Sequence, residues 1–288
     1  MTTTQSRSSL LPLLAAIAGL TLLSGAVAGA AATPERTAPT QEQAAIASST
    51  EWLVQETPAD PVAYLSLAVL ERRFGIEAFE GMGQRYIQEI ESATGRQQRR
   101  LRAFQRLLDP GAPVEAADLE SISEGIDQLT SRALNCQRYP LPVDFELTLR
   151  TAISNGGYAL THSALALQWI EENGCATAWS RRLHTLAIQQ IAKIPDVDLR
   201  VTDLELEAAT FLSYMASEQL IPPGFVESVL ETQQQDGGWS ADSALDPDSG
   251  HWHATSLALW MLLEQASLET IPMIQFLESG GTHDFSRP

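Results

Sequence analysis

Cysteine and basic residues are scarce in this chain of 288 residues, which has two Cys and 18 Lys and Arg against 36 Asp and Glu. The resulting net charge of −18 repels nucleic acid and anionic membrane surfaces, so neither is an expected partner. β-Branched residues never alternate with polar ones over the length of a strand, which predicts the absence of a sheet. Motifs of well-known hydrolases and nucleotide-binding proteins are also missing: Gly-x-Ser-x-Gly, a phosphate-binding loop and His-Glu-x-x-His. The composition therefore predicts an acidic, all-α protein without naming a reaction.

The N-terminus has the order of a secretory signal. Arg7 is the only charged residue before Glu35, the run 10–23 is almost wholly apolar, and small residues with Ala-x-Ala patterns follow. We predict that residues 1–32 are a cleaved signal peptide and that the protein is periplasmic or secreted; an uncleaved membrane anchor is the alternative. Cleavage would remove one basic residue and leave 17 against 36 acidic ones, a net charge near −19. No later run is long and apolar enough to span a bilayer.

The two cysteines are Cys136 and Cys175. In an oxidising compartment, two Cys in one chain favour a disulfide, and two buried thiols are the alternative. The bridge would close a loop of about 40 residues, which stabilises the fold by about 3–4 kcal/mol in the chain-entropy model.

Helical periodicity dominates after a polar, Pro-containing lead at 33–40. One helix is predicted at 61–74, because Asp60 is suited to the N-cap, Pro61 to the first helical position and Gly75 to the stop. Further helical runs are predicted at 77–92, 96–108 and 114–135. We assign 41–135 to an N-terminal helical region.

Five arginines fall within 96–106, whereas residues 201–286 contain fourteen Asp and Glu and no Lys or Arg. Such a run usually forms a solvated helix face. The alternative is a surface that docks to an acidic protein partner or to the acidic half of this chain.

The C-terminal half, 136–288, repeats itself. A Gly-Gly-aromatic turn at 156–158 precedes a helix with a Leu-Ala-Leu triplet, and a second such turn at 237–239 precedes another. A similar helix without the glycines begins at 202. The repeat length, about 40 to 50 residues, is typical of arrays of helical pairs. We predict buried inner helices at 161–173, 202–217 and 253–265, and outer helices at 176–193, 223–234 and 270–278.

This half resembles the prenyltransferase and squalene-cyclase repeat superfamily over roughly 155–280. The most specific match is the motif of Gln235, Asp236, Gly237, Gly238 and Trp239. The resemblance implies an α/α toroid, in which this motif is structural and ties the end of an outer helix to the next inner helix. It also implies a central cavity whose rim is formed by the starts of the inner helices.

Those starts carry imidazoles and carboxylates: His162, Asp203, Glu205, Glu207, His251 and His253. Protein prenyltransferase β subunits, members of the superfamily, bind zinc through Asp-x-Cys at one inner helix start and a His at the next. Asp203 and His253 fall at similar places, with Glu205 where the Cys would be, so thiol activation is not expected. We predict a zinc site of His162, Asp203, Glu205 and His253, with Glu207 as general base. The alternative is structural: Asp203 as a helix N-cap and His253 as a core residue.

Three hypotheses for function follow. The leading one is an exported toroid-like protein that binds a peptide, polyisoprenoid or glycan in a cleft at the inner-helix rim. The second is a zinc-dependent hydrolase that uses the residues of the predicted site. The third is a structural scaffold that docks a protein partner through the arginine-rich helix. Cyclisation is not expected, because the Asp-x-Asp-Asp acid of class II terpene cyclases is absent, and prenyl transfer is not expected, because the repeats show no basic site for a prenyl diphosphate.

Overall fold

The computed structural model describes residues 38–198, 200–245 and 250–267. The signal peptide predicted at 1–32, most of the lead at 33–40 and the outer helix predicted at 270–278 lie outside these ranges. The described residues from Pro39 onward belong to one compact unit. Within them no helix combines the length and the apolar character that crossing a bilayer requires.

The described part of the chain is all-α, as predicted, and contains twelve α-helices and no strand. The helices are α1 (Gln41–Glu56), α2 (Pro61–Phe74), α3 (Met82–Ser92), α4 (Gly95–Phe104), α5 (Ala116–Glu120), α6 (Ile126–Leu134), α7 (Phe145–Asn155), α8 (Gly157–Glu172), α9 (Ala178–Ile191), α10 (Asp203–Tyr214), α11 (Phe225–Glu231) and α12 (Trp252–Ala266). Three 3₁₀ helices lie at Glu77–Phe79, Gln105–Leu107 and Glu218–Leu220.

Helix α2 is confirmed with its predicted ends. The Asp60 carboxylate accepts hydrogen bonds from the backbone N–H groups of Val62 and Ala63, Pro61 is the first helical residue, and Gly75 ends the helix in the left-handed conformation. These contacts satisfy backbone groups that a helix end otherwise leaves unpaired.

Two predicted helical runs are interrupted. The run 114–135 divides into α5 and α6, because residues 121–125 leave the helix and Gly125 takes a φ of 80°. The run 77–92 divides at Gly81, which has a φ of 86° and lies just before α3. Glycine adopts such angles without strain, and apolar periodicity alone did not reveal these breaks. The sequence also gave no separate prediction for α7, the helix immediately before α8.

The disulfide between Cys136 and Cys175 is confirmed. It joins the segment after α6 to the segment between α8 and α9. Asn173 lies beside it, and its side-chain amide donates to the backbone carbonyls of Ala133 and Trp169. The bridge therefore reinforces the packing of α6 against α8.

The first helices of the unit pack against the last one. Helices α1 and α2 both contact α12, and Leu259 of α12 lies in the apolar core built by α1 to α4. A second core joins α6 to α12, and the half-buried Trp260 packs against both cores. The region 41–135 and the repeat region thus share their interior.

The Gln-Asp-Gly-Gly-Trp motif lies where these ends meet. Asp236 accepts a hydrogen bond from the indole N–H of Trp52 in α1, at 3.1 Å. Gly237 approaches α1 so closely that a Cβ atom would lie 2.5 Å from the backbone oxygen of Ser48. Trp239 is buried and donates through Nε1 to the carbonyl of Val229 in α11, at 2.8 Å. The motif therefore links α11 both to the following helix and to the first helix of the unit.

Arginines at the end of α4 and in the 3₁₀ helix that follows it form contacts within the fold. Arg102 pairs at 2.6 Å with Asp118, whose side chain is fully buried, and Arg106 is 4% exposed and donates to the backbone carbonyl of Leu134. Arg100 pairs with Asp127 at the start of α6. The interpretation of this run as a solvated face is confirmed for the exposed Arg96, Arg99 and Arg100 and is wrong for Arg106, while Arg102 is half-buried. Docking of a protein partner at this helix stays a prediction.

Candidate functional site

One cavity of about 360 Å³ is lined by residues from all six even-numbered helices, α2 to α12. Its volume lies within the range typical of small-molecule sites. Each of these helices contributes a polar or charged side chain from its first two turns or its cap: Asp60, Gln97, Asp127, His162, Glu207 and His253. Residues farther along the same helices are mainly apolar, among them Val69, Leu165, Trp169, Phe211, Leu257 and Trp260. The cavity is therefore amphipathic, with a polar end and an apolar wall.

Asp203 and His253 form a hydrogen-bonded pair at the polar end. His253 Nδ1 lies 2.8 Å from Asp203 Oδ1 and 3.0 Å from Oδ2, and since a carboxylate accepts, Nδ1 carries the proton. The hydroxyl of Tyr158, in the first turn of α8, donates to Asp203 Oδ2 at 2.7 Å. The second nitrogen, His253 Nε2, lies 3.9 Å from Glu207 Oε2.

The pair changes the pKa of both its members. Burial by itself raises the pKa of Asp203, but the hydrogen bond and charge of His253 and the Tyr158 hydroxyl outweigh it, and the net pKa is lowered. Burial lowers the pKa of His253, whereas the bond to Asp203 and the charges of Asp203 and Glu207 raise it by more. The pKa of Tyr158 is raised by burial and by its bond to the carboxylate. Asp203 therefore stays ionised, and His253 holds its second proton to a higher pH than a free histidine does.

Glu207 and His162 form a second pair beside the first. Glu207 is 1% exposed, and its Oε1 accepts from the Thr161 hydroxyl and lies 3.2 Å from His162 Nδ1. His162 Nδ1 also lies 3.0 Å from the carbonyl of Tyr158, which fixes Nδ1 as the protonated nitrogen. Sequence neighbours Thr161 and His162 thus both reach Glu207.

Helix spacing explains which predicted residues meet. Asp203 and Glu207 are four residues apart and share one face of α10, whereas Glu205 is turned about 200° from Asp203. The Glu205 carboxylate instead accepts from the backbone N–H groups of Thr202 and Asp196, at 2.8 and 3.2 Å. Thr202 is the N-cap of α10 and forms a capping box with Glu205, so the alternative that Asp203 is the cap is wrong.

The other residues of the rim take different positions. His251 is exposed and is the N-cap of α12, with its ring centroid 6.4 Å from that of His253. Tyr158 and Thr161 were not predicted as site residues. For Tyr158 the sequence did offer a signal, since it occupies the aromatic position of the turn that Trp239 occupies in the other repeat.

A comparison with protein-family models, curated proteins and solved structures found no match for this chain. The resemblance to the prenyltransferase and squalene-cyclase superfamily therefore rests on the quoted residues alone and stays a prediction.

The contacts do not assemble the four predicted zinc ligands. Both oxygens of Glu205 accept backbone hydrogen bonds near the start of α10. Asp203 forms a hydrogen bond with His253, so the two side chains do not point at a common ligand position. Among the described residues no group of three or more His, Cys, Asp or Glu side chains is arranged to hold a metal ion. Zinc stays a prediction of the resemblance.

Proposed function

We propose that this chain is an exported α/α-toroid protein that binds an amphipathic organic molecule in its central cavity. The observation that carries the proposal is the cavity itself, in which polar groups from the first turns of six helices adjoin an apolar wall. Contact of α1 and α2 with α12 supports a closed arrangement of the helical pairs. The disulfide between Cys136 and Cys175 and the secretory pattern at 1–32 support export.

The lining favours one class among the three ligands considered from the sequence. A glycan or an extended peptide needs many hydrogen-bonding groups along its whole length, whereas Leu165, Phe211 and Leu257 offer hydrocarbon surface. A molecule with a hydrocarbon body and one polar group, such as a short isoprenoid or alkyl compound, matches both parts of the cavity.

Isothermal titration calorimetry of the folded protein with 1-octanol, trehalose and tetra-alanine tests this proposal. We expect saturable one-site binding of octanol only, with the negative heat-capacity change that accompanies burial of apolar surface. Leu65→Trp, at a half-buried position of the lining, should fill the cavity and abolish binding. Leu186→Trp, at a position of α9 that is 39% exposed, is the matched control and should bind like the wild type. Octanol binding that survives Leu65→Trp, or no octanol binding at all, would refute the proposal.

A second candidate function is an enzyme that uses His253 as a general base. The specific observation is that Asp203 holds Nδ1, which leaves Nε2 as the reactive nitrogen next to Glu207. A carboxylate behind an imidazole orients the ring both in general bases and in zinc-binding histidines.

Elemental analysis of the purified, folded protein tests the zinc-dependent form of this candidate. Stoichiometric zinc that is lost in His253→Ala but kept in His251→Ala would support a hydrolase. Metal-free protein whose thermal unfolding is unchanged by a chelator would rule out that form.

A further inference from the structure

Glu207 lines the cavity, and one of its carboxylate oxygens has no hydrogen-bond donor among the described residues. Its Oε1 accepts a hydrogen bond from the Thr161 hydroxyl and lies 3.2 Å from His162 Nδ1, but its Oε2 accepts no hydrogen bond from any described residue. The nearest recorded contact of Oε2 is His253 Nε2 at 3.9 Å, which exceeds hydrogen-bonding distance. Because the side chain is 1% exposed and lines the cavity, bulk water does not solvate this oxygen freely. A carboxylate oxygen that faces a cavity without a hydrogen-bond donor can gain free energy from a ligand that supplies one.

The charges around the cavity favour a cationic donor. Asp60, Asp127 and Glu207 line it. The lining contains no Lys and one Arg, and this residue, Arg100, is paired with Asp127. A positive charge on His253 would be matched by Asp203, its hydrogen-bonding partner. The only lysine of the chain, Lys193, follows α9 and bonds to Gln190. The lining therefore keeps an excess of negative charge, and the acidic protein as a whole attracts cations.

The wall beside Glu207 suits the same ligand. Phe211 lies one helical turn beyond Glu207 on α10, and its ring meets Trp260 edge to face with centroids 6.3 Å apart. Aromatic faces attract ammonium groups, and they also pack against hydrocarbon.

From these three observations we propose that Glu207 Oε2 accepts a hydrogen bond from the protonated amine of an alkylamine whose hydrocarbon body lies against Phe211 and Trp260. This inference rests on the proposed function and specifies its ligand class. The ligand requires both a positive charge and an N–H, since a quaternary ammonium supplies only the charge.

A series of four octyl compounds tests the inference by calorimetry at pH 7, where an alkylamine is charged as a lysine side chain is. Octylammonium has charge and donor, octyltrimethylammonium has charge only, 1-octanol has a neutral hydroxyl and octanoate has the opposite charge. A hydrogen bond to a charged group predicts that octylammonium binds about 10- to 100-fold more tightly than octanol. Octyltrimethylammonium should lie between them, and octanoate should bind most weakly.

Glu207→Gln should remove the preference for octylammonium over octanol, because the amide carries no charge while it keeps the size of the side chain and an acceptor for Thr161. Glu171→Gln removes a carboxylate whose side chain is 43% exposed, and this control should keep the full preference. The preference within the wild type is informative even if the Glu207 variant does not fold.

The outcomes separate the inference from the function it rests on. Equal affinity for octanol and octylammonium, or tighter binding of octanoate, overturns the amine ligand and leaves the amphipathic cavity standing. A preference that persists in Glu207→Gln assigns the amine to another group and also overturns the inference. Failure of every octyl compound to bind refutes the proposed function as well.

Discussion

Replacing Glu264 by alanine is expected to lower the free energy of unfolding by about 3–5 kcal/mol, the usual cost of removing one partner of a buried ion pair. The carboxylate of Glu264, in α12, accepts hydrogen bonds from Arg73 Nε at 2.6 Å and from Arg73 Nη2 at 3.0 Å. Arg73 lies in α2, and the Glu264 and Arg73 side chains are 3% and 4% exposed. It also accepts from the indole N–H of Trp260 at 2.7 Å. The alanine variant would leave the buried guanidinium of Arg73 and the indole N–H of the half-buried Trp260 without their acceptor.

Urea denaturation measures this loss. A changed midpoint with an unchanged slope would show that the unit still unfolds as a whole, whereas a smaller slope would show that the first helices detach from α12 before the rest. Glu171→Ala is the control, because its pair with Arg181 is exposed and such pairs contribute about 0–1 kcal/mol. The double variant Arg73→Met with Glu264→Leu should regain much of the lost stability, since an apolar pair leaves no buried charge. A loss below about 1 kcal/mol in Glu264→Ala would show that the pair does not hold α2 to α12.

The contact between Arg73 and Glu264 could not be predicted from the sequence. Arg73 and Glu264 are 191 residues apart, and each lies in a helix whose periodicity reveals a buried face but not its partner. The ends of α2 were predictable because a cap acts within four residues of the chain. The contact between the two ends of the unit depends on the summed rotation of every helix pair between them, which no local pattern records.

The candidate site was predictable in part, because helix starts and helix spacing are local features of the sequence. Grouping the inner helix starts placed His162, Asp203 and His253 in one region, and the structure brings these three residues together. The choice between Glu205 and Glu207 needed only the helical angle, since a spacing of four keeps two residues on one face and a spacing of two does not. Tyr158 reaches Asp203 across 45 residues of chain, and its role depends on the orientation of α8 against α10.

The second large effect is expected for Trp239→Ala, at about 3–5 kcal/mol of unfolding free energy, the usual cost of truncating a buried Trp. The indole is 1% exposed, and its loss would open a cavity between α11 and α12 and remove one of the donors to the carbonyl of Val229, which would keep those of Thr232. Trp239→Phe keeps most of the apolar surface and removes the N–H, so it should lose about 1–3 kcal/mol. Denaturation curves of both variants separate the packing contribution from the hydrogen bond. Leu147→Ala, at a side chain that is 66% exposed, should change stability by less than about 0.5 kcal/mol.

Two glycines, Gly238 of the motif and Gly250 before α12, lie close to Trp52 of α1. Substitution at Gly250 tests whether this contact also holds the helical array closed. A Cβ at Gly250 would lie 2.5 Å from the Trp52 ring of α1, and one at Gly238 would lie 2.9 Å from it. Gly250→Ala should therefore push α1 away from the start of α12, and it should weaken octanol binding in the cavity as well as stability. Gly174→Ala is a suitable comparison, because its backbone φ of 68° also disfavours a side chain but no atom lies within 4 Å of the added Cβ. If both glycine variants lose stability equally and octanol binds both as it binds the wild type, the close approach of Gly250 to Trp52 has no part in holding the cavity closed.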